Sequence, residues 1–144
     1  MRARSATADW CMKRNQPEAG SPGDWLRYAK SDLAIASQPA GPDVLRDTLC
    51  YHAQQTAEKS LKAVLVWAKV TFPRAHSIQL LMDLLPSSAE HPPEAEKLVR
   101  LTDYAFISRY PGEFEEASEE EWMEAVRLAH AALEWATRVV ARPL

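Results

Sequence analysis

An all-α bundle, with four main helices running up and down and one short helix added, is predicted by three features of this 144-residue sequence. Apolar residues recur at helical spacing through the long segments, capping residues stand at their starts, and proline or glycine clusters separate them. No segment alternates with the period of two that a half-buried strand requires. Such a succession of amphipathic helices joined by short polar loops calls for helix-on-helix layers around one core. The length suits a single domain.

Residues 1–20 show no sustained period and read as a flexible leader arm, although Trp10, Cys11 and Met12 could form one apolar turn. The bundle domain spans 21–142. Ser21-Pro-Gly-Asp24 supplies a cap, a proline at the first helical position and an acid three residues after the cap. The helix that follows carries Trp25, Ala29, Leu33 and Ala36 as its stripe and stops at Pro39-Ala-Gly-Pro42. Asp43 is placed to cap the second helix, expected to reach Val70. Ser77 to Leu85 is short and apolar; its leucines and the Pro86 stop favour a short helix over a buried strand. Pro92-Pro93 opens a fourth helix that ends near Ser108, ahead of Pro111-Gly112. Ser118-Glu-Glu-Glu121 is a capping box for the last helix, whose core stripe is Trp122, Val126, Ala129, Leu133, Ala136 and Val140. The acidic run from Glu113 to Glu124 reads as a solvated helix start favoured by the helix dipole.

The second helix is the most informative segment. Leu49, Ala53, Thr56, Ala57, Ser60, Leu61, Val64 and Ala68 form a stripe of small and apolar residues suited to close helix packing. Tyr51, Gln55, Glu58, Lys59, Lys62 and Lys69 point away from it, and this face is expected to be solvated. Lys59 and Lys62, with Arg74 beyond the helix end, then make a local basic patch able to meet a phosphate, and Gln55 can hydrogen-bond a base or ribose. The competing structural reading is that Glu58 and Lys62, four apart, only stabilise an exposed helix. Arg109-Tyr-Pro-Gly112 is the second candidate: Arg109 can hold a phosphate through parallel N–H bonds and Tyr110 can stack on a ring. The predicted ligand site is therefore Arg109, Tyr110, Lys62, Lys59 and Gln55. His52 is expected to be a bundle-wall histidine bonded to a carbonyl, and His76 to help start the short helix.

The stretch His52-Ala-Gln-Gln-Thr-Ala-Glu-Lys-Ser-Leu-Lys, together with Phe72-Pro-Arg-Ala-His76, Tyr104 and Arg109-Tyr-Pro-Gly112, resembles the HEPN family (higher eukaryotes and prokaryotes nucleotide-binding domain) from Asp24 to Val140. The resemblance implies a helical bundle that binds a nucleotide or an RNA-like polyanion, pairs with itself, and works beside a minimal nucleotidyltransferase in a toxin–antitoxin-like module. Ribonucleases of that family carry a histidine a few residues after the motif arginine. Here Phe114, Glu115 and Glu116 occupy those places, and none can shuttle a proton near neutral pH as imidazole does. A non-catalytic binding protein is thus the leading expectation, with no catalytic residue assigned. A metal-independent endoribonuclease toxin and a purely structural dimeric module are the alternatives.

Leu128, Trp135 and Val139 form a second apolar row on the last helix, offset from the core stripe, and are expected to form a homodimer interface unless the leader covers them. The net charge of −3 argues against a dedicated nucleic-acid coat, though not against a local patch. Cys11 and Cys50 form no CxxC pair and the four histidines have no metal-site spacing, so neither a disulfide framework, a metal nor another cofactor is expected. No glycine-rich phosphate loop occurs. With no apolar signal core and no run long enough to span a bilayer, a cytoplasmic protein without membrane association is expected.

Overall fold

The computed structural model describes residues 20–107 and 110–143. The leader arm therefore lies outside the described residues. Among those described, the chain forms five helical units and no named strand, only an isolated bridge between Gly41 and Val44. They are α1 (Pro22–Ala36), α2 (Arg46–Trp67), α3 (Ile78–Asp83), a composite rod, and α6 (Glu119–Val140). The rod runs from α4 (Ala95–Val99) through a 3-10 turn (Arg100–Asp103) into α5 (Tyr104–Ile107).

Both expected capping boxes form. Ser21 Oγ accepts from Asp24 N–H while the Asp24 carboxylate accepts from Ser21 N–H, each at 3.1 Å, and these bonds hold the Asp24 carboxyl below its ordinary pKa. Ser118 and Glu121 repeat the arrangement at the head of α6. The start of α2 differs from expectation. Asp43 does not cap it; the cap position is Leu45, which has no side-chain acceptor. The work of Asp43 passes to the segment before α6, where Glu116 accepts Arg46 N–H at 3.2 Å, and Asp47 returns the contact by accepting Ala117 N–H at 2.8 Å. α2 ends three residues earlier than Val70, because Lys69 takes the left-handed conformation (φ 59) and Val70 N–H closes onto Leu65 O at 2.9 Å.

α2 is the central element, packed between α1 and α6 and also touched by α3 and the rod. Small side chains let its neighbours come close: Ala29 and Ala36 of α1, Ala53, Ala57 and Ser60 of α2, and Ala125, Ala129, Ala132 and Ala136 of α6 are all buried. Thr56 Oγ1 reaches Ala29 O at 3.3 Å, and Trp122 Nε1 donates to Ala36 O at 2.7 Å, which ties α6 to the end of α1. Cys50 is buried beside Tyr104, and burial pushes its thiol up to about 12. The thiol is inert at neutral pH.

The expected dimer row is corrected. Leu128, Trp135 and Val139 are all buried, Trp135 completely, and Trp135 Nε1 donates to Glu90 O at 3.1 Å. Two offset apolar rows on α6 are both needed, because the helix is covered by α2 on one side and by the 86–94 segment and the rod on another. Arg142 holds that same segment through Glu90 at 3.2 Å.

Arg127 fastens the rod to α6. Its guanidinium meets both Glu94 carboxylate oxygens at 2.6 and 3.0 Å and both Glu124 oxygens at 2.9 and 2.8 Å. These hydrogen bonds hold the Glu94 and Glu124 carboxyls below their ordinary pKa. A depressed folded-state pKa contributes stability that is complete above the unfolded value, near 4.5, and is lost as pH falls through the folded value. Arg127→Met is therefore expected to be less stable than wild type at neutral pH, with the gap closing as pH drops below about 4.5; the groups are exposed, so the gap is small. Urea midpoints measured across that range check it, and a gap that widens in acid would refute the assignment.

Candidate ligand-binding site

The polar face of α2 is packed rather than solvated. From Gln54 through Glu58, Lys62, Gln55 and Lys59 to His52 it covers an arc of about 160°. α1 lies over the His52–Lys59 edge, and the 72–76 segment over the Gln54–Glu58 edge. Gln54, Gln55, Glu58 and Lys62 are buried, which corrects the expectation that Gln55 and Lys62 stand in solvent.

Glu58 is the hub. Its Oε1 accepts from Lys62 Nζ at 2.9 Å, with both side chains only 3% exposed. Its Oε2 meets Gln54 Nε2 at 3.0 Å, Gln55 Nε2 at 3.1 Å and His76 Nδ1 at 3.2 Å. Gln55 Nε2 also reaches Gln54 Oε1 at 2.8 Å, and Gln54 Nε2 reaches the His76 carbonyl at 3.2 Å. Lys62 Nζ further lies 5.2 Å from the Trp25 ring centre and 5.8 Å from that of Phe72, and these two rings pack edge to face. A carboxylate with this many donors is compensated for its loss of water, and each donor is fixed by the same contact.

On the α1 side, the buried Asp32 carboxylate takes His52 Nδ1 at 2.8 Å and Lys59 Nζ at 2.5 Å. His52 thus bonds a carboxylate instead of the expected carbonyl. Ser77 itself caps α3, its Oγ accepting Leu80 N–H, so His76 is spared that task and belongs to the Glu58 network. Beyond these inner contacts lies an exposed rim. Tyr28 is 56% exposed, with Arg27 5.5 Å and Lys59 5.9 Å from its ring centre. Lys30, Arg74 and Lys69 are exposed, and the His76 side chain is 54% exposed.

Charge is divided along the sequence to match. Residues 20–77 hold seven Lys and Arg against five Asp and Glu, whereas residues 78–144 hold six against thirteen. The α1–α2 face is the basic part, and the head of α6 is the acidic part.

Of the expected site, Lys59 lies at the rim and Lys62 and Gln55 lie beneath it. Arg109 lies outside the described residues. Tyr110 is exposed after α5, in a turn closed by Glu113 N–H on Tyr110 O at 3.3 Å. The described contacts of Lys59 and Gln55 run to α1 and within α2 and do not include Tyr110. Sequence reasoning missed Asp32, Gln54, Tyr28 and the role of Glu58 as hub. Asp32 carried a signal: it is an acid one position before Leu33 of the α1 stripe, at the edge of the buried face. Among the described residues, no cluster of three or more His, Cys, Asp or Glu is placed to hold a metal, and no helix is long and apolar enough to cross a membrane.

A central helix flanked by long helices, with a polar network on one face, defines a helical-bundle module whose site is built from side chains rather than from a phosphate loop. The HEPN domain model matches residues 23–139, and the chain belongs to that family. TT1696 from Thermus thermophilus is similar in structure, with a TM-score of 0.71 at 27% identity over 82% of this chain and 97% of that one. ST0689, described as an archaeal HEPN homologue, gives a TM-score of 0.64 at 26% identity over 85% and 99%. No curated protein matches.

Proposed function

We propose that this HEPN protein is a non-catalytic module that binds a nucleotide or an RNA-like polyanion on its α1–α2 face. The observation that carries the reading is the rim: an exposed aromatic ring, Tyr28, flanked by Arg27 and Lys59, with Lys59 held in place by the buried Asp32 carboxylate. Rings beside cations accept bases without sequence preference, and a rigid support reduces the ordering cost of binding. The cytoplasmic setting, self-association and a separate nucleotidyltransferase partner in a toxin–antitoxin-like module belong to the same proposal; the family likeness supports them and assigns no surface to either partner.

Fluorescence anisotropy of a labelled short oligouridylate tests the binding claim. Affinity is expected to fall as salt rises, and Tyr28→Ala to weaken it by about 1 to 3 kcal/mol while the fold, to which this exposed ring adds little, stays intact. The RNA is expected to be recovered uncut. No binding, or binding indifferent to both salt and Tyr28, would overturn the reading; cleavage by the purified protein would replace it with the endoribonuclease alternative.

A further inference from the structure

The Glu58 network determines which nitrogen of His76 carries a proton. Glu58 meets only donors: an ammonium at Oε1, and two amide NH2 groups at Oε2 beside His76 Nδ1. Nδ1 completes that set as an N–H, because a lone pair there would face a carboxylate oxygen. The imidazole carries one proton when neutral, so its Nε2 keeps a lone pair. Nε2 is the nitrogen outside the network, on a side chain more than half exposed. Its backing is rigid: Gln54 also grips the His76 main-chain carbonyl, so both the ring and its backbone are held from α2. His76 and the Tyr28 rim stand over opposite edges of the polar face of α2, and the cation nearest His76 in sequence is the exposed Arg74, two residues before it on the same segment.

A fixed acceptor two residues from an exposed guanidinium suits a ligand that presents a hydroxyl donor close to its phosphates. The ribose 2′-hydroxyl is that group, and it separates RNA from DNA. We propose that His76 Nε2 accepts the 2′-hydroxyl of a bound ribonucleotide, with Glu58 as the residue that positions it. The proposal rests on the polyanion-binding reading above and narrows it to ribose-containing ligands. A phosphate contact at this position would instead need a second N–H on the ring.

Binding of oligouridylate and of oligodeoxyuridylate of equal length separates the two claims. The wild-type protein is expected to prefer the ribose form by about three- to tenfold, the worth of one hydrogen bond, and His76→Ala to bring the two affinities together while leaving the deoxy affinity unchanged. His76 is exposed enough for this variant to fold. A ring nitrogen NMR spectrum gives the independent readout: Nδ1 protonated in the wild type, with Glu58→Gln shifting the proton toward Nε2 and abolishing the ribose preference. Equal affinity for both oligonucleotides in the wild type, or a wild-type ring protonated at Nε2 alone, would overturn the role of His76 and leave polyanion binding standing. Failure of both oligonucleotides to bind would remove both claims.

Discussion

Trp135→Ala is expected to lower the free energy of unfolding by about 3 to 5 kcal/mol, the range for deleting a fully buried large aromatic side chain. The indole has no exposure, is surrounded by core residues, and spends its N–H on Glu90 O. Alanine would leave a cavity and an unpaired carbonyl in the 86–94 segment, whose surroundings are held by Arg142 and cannot collapse freely. A urea titration should show the midpoint falling with little change of slope. Had Trp135 been a dimer contact, Trp135→Glu would have given a folded monomer; at this position a buried unpaired charge should prevent folding. Recovery of a folded Trp135→Glu protein would contradict that burial.

Lys62→Met is expected to cost about 3 kcal/mol, far beyond the few tenths that an exposed pair spaced four apart contributes. The variant strands Glu58 in a site from which water is excluded. The remaining donors on Oε2, from Gln54, Gln55 and His76, keep the loss at the lower end of the range for broken buried pairs. Removing Glu58 as well, as Glu58→Met with Lys62→Met, should recover part of the loss, since no ion is then left without its partner. Circular dichroism melts of the two single variants and the double variant form the cycle. A Lys62→Met protein as stable as wild type would restore the solvated basic arm expected from sequence.

That difference marks where the sequence stops being readable. Ser21 with Asp24 and Ser118 with Glu121 were legible because a cap and its partner are three residues apart and need nothing else. The order of helices was legible from periodicity, as was the small-residue stripe of α2. Periodicity assigns polar positions to solvent, however, and nothing local in Gln54, Gln55, Glu58 and Lys62 says that α1 and the 72–76 segment lie over them. The same blindness applied in reverse on α6, where Leu128, Trp135 and Val139 looked like a surplus row although all three are buried, Trp135 against the 86–94 segment. The start of α2 failed for a third reason: its orphan amides are met by Glu116, seventy residues away, whose involvement leaves no trace near Asp43. The candidate site shared the first failure: Lys59 was singled out from sequence while Tyr28 and Asp32, which meet it from α1, were not.

The central place of α2 also governs how the chain can assemble. α1 and α2 are neighbours in sequence and can pair as a local hairpin, but α6 reaches α2 only after residues 68–118 have been laid down, and its docking closes that long loop. Before it docks, the alanine side of α2 is bare, while the Asp32 contacts to His52 and Lys59 are already within reach of the hairpin. The half of the molecule that carries the basic face can thus organise itself early, and the acidic half arrives as a lid on its back. Order of formation and division of labour follow the same seam.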